Sequence, residues 1–145
     1  FNNKSRDVLE IANEMMLGEV AFKSGNKTEG LNHLRQAVEL DDNLNYEEPW
    51  SWPQPTRHAL GALLLEVGNH GEAEVVYKAD LGIDGKLPRP SQHPKNVWAL
   101  HGLHECLKLR NDKVELPHVA SLLRQAEARS DIKINASCLC RSMQS

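Results

Sequence analysis

The sequence predicts an all-α fold made of consecutive helix hairpins. Three observations predict it. One segment recurs at an offset of 43 residues, a Gly-Asn pair punctuates both copies, and apolar residues follow a helical period with no strand alternation.

The repeat aligns "LGEVAFKSGNKTEGLNHL" (Leu17–Leu34) with "LGALLLEVGNHGEAEVVY" (Leu60–Tyr77) without gaps. Leu-Gly matches Leu-Gly, Gly-Asn matches Gly-Asn, and Glu29 matches Glu72. Val20, Ala21, Phe22 and Leu34 fall on Leu63, Leu64, Leu65 and Tyr77; Leu31 on Glu74 is the exception. A weaker third copy carries Trp98, Gly102 and Leu103, and "LRQA" at Leu123–Ala126 repeats "LRQA" at Leu34–Ala37. The extra spacing in this copy predicts a longer turn near "RNDKVEL".

Each element then has a local reason. Val8, Ile11, Met15 and Phe22 lie on one helical face. Gly25 and Gly68 supply the positive φ that ends a first helix, and Asn26 and Asn69 cap the next. Pro117 suits the first turn of a helix. The expected pairs are 7–24 with 28–40, 55–67 with 70–82, and 95–109 with 116–129, followed by a short helix over 132–141. The expected domain is 7–141, with hairpins at 7–40, 55–82 and 95–129.

The hairpins, with their Leu-Gly, turn Gly and small second-helix residues, resemble the tetratricopeptide repeat, whose pattern runs W-x2-L-G-x2-Y and then A, F and P. The first copy supplies Leu17, Gly18, Gly25, Gly30, Leu34 and Ala37. The second supplies Leu60, Gly61, Gly68, Ala73 and Tyr77, with Asp80 where a second Ala belongs. The third keeps Trp98 and Gly102 but lacks the turn Gly. The resemblance covers roughly residues 8–129. It implies a right-handed superhelical stack of about three antiparallel hairpins, an α-solenoid, acting as a protein-binding scaffold. Gly18, Gly61 and Gly102 are expected where the two helices of each hairpin approach most closely.

The offset exceeds the usual 34 by about nine residues, which fall in "YEEPWSWPQPTR" (Tyr46–Arg57). Two readings stand. Trp50 and Trp52 either close the junction between hairpins one and two, or at least one faces out as an anchor for a partner, since Trp and Arg are enriched at interface hot spots. Arg57 either pairs with Glu47 or Glu48 or reads a ligand carboxylate. A second Pro-rich connection, "GIDGKLPRPSQHPKN" (Gly82–Asn96), is expected on the same edge.

In a tetratricopeptide register the first helices line a concave groove carrying Met15, Glu19, Phe22 and Lys23, then His58, Ala62, Leu65 and Glu66, then Asn96, Ala99, Leu103 and Cys106. Some members clamp a C-terminal carboxylate there with Lys and Asn. Met15, Glu19, Ala99 and Leu103 depart from that pattern, which argues against chaperone-tail capture. The candidate partner-binding residues are therefore Trp50, Trp52, Arg57, Glu19, Phe22, His58 and Leu65. For Met15, Phe22 and Leu65, packing between hairpins is the competing expectation.

Composition narrows the rest. The 145 residues carry a net charge of −3 with no Lys/Arg run, so no nucleic-acid surface is visible. The longest apolar stretch, Ala59–Val67, is half a membrane span. The chain opens at Phe1 and reads as a C-terminal fragment of a longer protein, whose other domains are further potential partners. Three Cys without framework spacing argue against a disulfide scaffold and favour a reducing, cytoplasmic setting. Cys138 and Cys140 stand too close in sequence for an easy disulfide with each other.

No nucleophile elbow, phosphate loop, dinucleotide fingerprint or zinc spacing is present, and the acidic run "ELDDNLNYEE" lacks calcium-loop spacing. No cofactor or enzyme activity is expected. The alternatives are a metal-dependent or thiol enzyme using His101, His104 and Cys106, and a structural segment packed on a catalytic domain.

Overall fold

A computed structural model describes residues 2–141. Among these the chain is all-helical: α1 (Ser5–Lys23), α2 (Lys27–Asp42), α3 (Thr56–Glu66), α4 (His70–Asp80), α5 (Val97–Leu109) and α6 (Glu115–Glu127), with a short 3-10 turn at Arg89–Ser91. Each helix packs on the next in sequence, and α3 also meets α5. No described helix is long and apolar enough to cross a membrane.

The repeat persists in backbone geometry. Gly25 and Gly68 have φ of 99° and 79°. After each, an Asn amide reaches back to close the helix end, Asn26 to the Ala21 carbonyl and Asn69 to that of Leu64, both at 2.9 Å. Asn69 also accepts the Glu72 amide through its side chain, whereas Asn26 makes no such cap. In the third hairpin Asn111 takes the glycine's role at φ 55°, and Asp112 N–H reaches the Leu107 carbonyl at 2.9 Å. Asn tolerates the left-handed region through its short polar side chain. This turn takes five residues, 110–114, against three in the other two.

The glycines mark close approaches, with one change from expectation. A Cβ on Gly18 would lie 2.7 Å from Leu34 Cγ, and one on Gly30 would lie 2.7 Å from the Gly18 carbonyl, so α1 and α2 touch there. Gly61 and Gly102 both face the same side chain, Tyr77 of α4, and a Cβ on either would overlap its ring. Gly102 thus makes room for the preceding hairpin rather than for its own partner helix. The fully buried Tyr77 passes between α3 and α5, and its hydroxyl emerges against Ser137.

No helix forms over 132–141; the described part of this segment is bends and a turn. Ile134, Ala136, Ser137 and Cys138 are all buried. A helix shows only every third or fourth residue to one face, so an irregular chain is what lets four near-consecutive residues pack. Ser137 meets Tyr77, and Arg141 pairs with Glu105 at 2.7 Å. The tail therefore crosses α5 and returns to the face where the first helices meet.

Candidate functional site

Asp80 ends α4 and is 1% exposed, at the position where the repeat pattern expects Ala. His58 Nε2 donates to its Oδ2 at 3.0 Å, Asn96 Nδ2 to the same oxygen at 2.9 Å, and His93 Nδ1 to Oδ1 at 2.8 Å. The His93 amide also donates to the Asp80 carbonyl at 2.7 Å. Burial acts to raise this carboxyl, but the hydrogen bonds and charges of His58 and His93 overcome it and hold Asp80 well below the ordinary range. One carboxylate ties together the start of α3, the end of α4 and the loop before α5.

The two long connections meet above this cluster. Trp50 Nε1 donates to the Pro90 carbonyl at 3.1 Å, and its ring meets His93 edge-on with centroids 4.5 Å apart. The Trp-Pro run is also held from the N-terminal side: Asn3 Nδ2 donates to the Asn45 carbonyl and to Ser51 Oγ, each at 2.8 Å. Thr56 Oγ1 donates to Asp41 Oδ2 at 3.0 Å, and burial raises the Asp41 carboxyl.

A cavity of about 930 Å³ opens beside this joint. Glu19, His58 and Trp98 reach it from α1, α3 and α5; Trp50, Pro53 and His93 come from the connections; Cys138 to Cys140 close it from the tail. Trp50, Pro55 and His93 also border a smaller recess of about 250 Å³, lined further by Asp41, Arg57 and Trp52. The larger cavity is mostly apolar in character, and Glu19 is its carboxylate. Partial burial raises that carboxyl, opposed by Lys23.

The expected site residues separate into three groups. Trp50, 49% exposed, Glu19 and His58 line the large cavity. Trp52 and Arg57 line only the recess. Trp52 is half-buried against the core, with its indole N–H unpartnered. Arg57 pairs with Asp42 through two bonds of 2.6 Å, not with Glu47 or Glu48. Asp42 closes α2 one turn ahead of the loop and places its carboxylate opposite the first turn of α3, while Glu47 is taken by Ser51 and Asn2. Phe22 and Leu65 are 2% and 5% exposed, lie in the core and do not line the cavity. Their bulk packs between hairpins, so the groove register places them too far outward.

The described residues build no metal centre around His101, His104 and Cys106. Among the described residues, no group of three or more His, Cys, Asp or Glu is placed to hold a metal ion. Cys106 is 1% exposed, and burial pushes its thiol up to about 12, which keeps it protonated. His101 has a buried, unpartnered Nδ1, and burial lowers its pKa.

Cys138 and Cys140 are joined in a disulfide, contrary to the expectation from their spacing. The Arg141 amide reaches the Cys138 carbonyl at 3.3 Å and folds the chain into a tight turn. That turn brings the two Cα atoms to 5.2 Å, within disulfide reach. Asp80, His93 and this cysteine pair are the site residues that sequence reasoning passed over. Asp80 had a signal, a charged residue at a small-residue position of the repeat. His93 had none, because its partner lies 13 residues away across an irregular loop.

No family model matches this chain, and no curated protein or solved structure matches it.

Proposed function

We propose that this chain is a binding module of tetratricopeptide-like hairpins, stacked as a right-handed superhelix, that takes a short protein segment in the cavity beneath Trp50. The observation carrying this reading is the convergence of one residue from each first helix, Glu19, His58 and Trp98, with half-exposed Trp50 around a single cavity. The nearest-neighbour packing of successive helices and the recurrent Gly-Asn turns support the stack.

The lining sets the ligand's character. Trp50, Trp98, Leu139 and the prolines offer apolar and aromatic surface. Glu19 is the carboxylate of this lining, with Lys23 as its charged neighbour. The fitting segment is apolar and carries a Lys or Arg. Pairing Glu19 with that cation offsets the cost of its partial burial.

Tryptophan fluorescence with synthetic peptides tests this. Apolar peptides bearing one Lys are expected to bind, and their Lys→Glu counterparts to bind at least about tenfold more weakly. Trp50→Ala abolishes binding in a folded protein, and Glu19→Gln removes the preference for Lys. Equal binding of both peptide types, or binding unaffected by Trp50→Ala, rejects the proposal.

A further inference from the structure

We propose that Cys138 and Cys140 form a thiol–disulfide exchange site opening onto the cavity, with a thiol-bearing ligand as its substrate. Both cysteines line the cavity, together with Trp50, His58 and Trp98.

The bond is poorly placed to serve as a staple. It closes a loop between residues two apart in sequence. A cross-link stabilises chiefly by shortening the unfolded chain's reach, and more for longer loops. The tail is held by other means: Ser137 on Tyr77, Arg141 on Glu105, and the burial of Ile134 and Ala136. Those anchors survive when the bond opens, so the site can change redox state without releasing the fold.

The two sulfurs are not equivalent. Cys138 is 6% exposed, while Cys140 is half-buried. The Cys140 backbone N–H donates to Cys138 Sγ at 3.1 Å. An entering thiolate therefore meets Cys140, and the sulfur that gains charge already has a donor. The thiolate attacks Cys140 Sγ, the Cys138–Cys140 bond breaks, and its electron pair leaves on Cys138 Sγ. A mixed disulfide joins ligand and Cys140. A second thiol then attacks the ligand sulfur, releasing the ligand disulfide and leaving Cys140 as thiolate. The two protons lost by the thiols pass to the two cysteines. Two ligand thiols are oxidised to one disulfide, the protein disulfide is reduced to a dithiol, and the reverse reaction reduces a ligand disulfide. Cys106, buried and held protonated, does not compete.

This inference uses the same cavity as the proposed peptide site, but the chemistry with a free thiol does not require a peptide to dock. The full chain in its disulfide form is treated with reduced glutathione, and separately with an apolar Lys-bearing peptide containing one Cys. Alkylation and mass spectrometry count the freed cysteines while circular dichroism follows the helices. Two cysteines are expected to open with the helical signal intact. With oxidised glutathione, Cys138→Ser is expected to form a mixed disulfide about tenfold faster than Cys140→Ser, following sulfur access.

Peptide outpacing glutathione assigns the substrate to a docked protein cysteine, and equal rates assign it to a small thiol; both support exchange. Glutathione reduction with no peptide binding rejects the peptide reading alone. A pair that opens only after the helices melt overturns the exchange site. So do single-cysteine variants that react at the same rate as each other.

Discussion

His58 Nε2 lies 3.0 Å from Asp80 Oδ2, joining the first turn of α3 to the last residue of α4 in a buried hydrogen bond. His93 approaches the other carboxylate oxygen from the connection to α5. The second hairpin is therefore closed, and the third oriented on it, through one side chain. The residues so positioned, His58 and His93, are also those that wall the cavity.

Replacing Asp80 removes the acceptor shared by three donors. Asp80→Ala is expected to cost about 3–5 kcal/mol, the range for breaking a buried pair by deleting one partner. Asp80→Asn keeps the shape and is expected to cost less. Urea denaturation of each variant gives the comparison, and a loss below about 1 kcal/mol for Asp80→Ala contradicts the role assigned to the cluster.

The same group sets an acid dependence. Asp80 titrates below its unfolded value, so the unfolded chain takes up the proton first as pH falls. Its contribution is fully present above the unfolded pKa, about 4, and is lost as pH drops from there through the folded value. Asp41 is shifted the opposite way, so its contribution is present below the unfolded value and lost as pH rises through the folded one. Wild type is expected to lose stability on acidification below about pH 4. Asp80→Asn is expected to flatten that limb, whereas Asp41→Asn is expected to act above it, removing the loss that sets in as pH rises past about 4. Thermal midpoints taken across the acid range check both signs.

Tyr77 accounts for two glycines at once. Gly61→Ala and Gly102→Ala each place a methyl group in its ring. Overpacking of this kind costs about 1–3 kcal/mol, more than the roughly 1 kcal/mol that Ala gains over Gly in a helix. Both variants are expected to be destabilised. Gly71→Ala, in α4 with no atom within 4 Å of the added carbon, is expected to be neutral or stabilising. Thermal denaturation of the three variants separates packing from propensity.

The Tyr77 hydroxyl and Ser137 bury one another. Tyr77→Phe leaves the Ser137 hydroxyl unpaired, at a cost of about 1–3 kcal/mol. The loss is expected to be local. Hydrogen exchange over 134–141 should accelerate while α1 and α2 keep their protection. Uniform acceleration along the chain would show that the tail is not an independently released unit.

Trp50 and Trp52 differ in burial, Trp50 half-exposed and Trp52 packed against the core. Trp52, packed against the core, is expected to lose about 2–4 kcal/mol as Trp52→Ala. Trp50→Ala, removing a half-exposed ring and one hydrogen bond to Pro90, is expected to stay folded. Urea midpoints measure the difference, and a larger loss for Trp50 would make it the structural member of the pair.

Much of the helical architecture was legible in the chain, because its signals are local. Gly25 and Gly68 specify helix ends through a backbone angle that few other residues adopt, and both turns formed; of the two caps expected after them, Asn69 makes its side-chain bond and Asn26 does not. Leu34, Leu60 and Leu63 fall in the core on the helical period alone. The tail escaped because its apolar and small residues carry no period that distinguishes a short helix from an irregular packed chain. Only the face offered by Tyr77 and α5 decides between them.

By itself, then, the sequence determined six helices in three hairpins, their turns and the small residues between them, since propensity, capping and periodicity act within a few residues. The tertiary structure alone decided that Arg57 meets Asp42, that one tyrosine fills the space of two glycines, and that Asp80 gathers His58 and His93. It also decided that Glu19, Trp50 and Cys140 share one cavity. Those relationships join residues thirteen or more positions apart. They follow from burial and charge satisfaction, which exist only once the hairpins have packed.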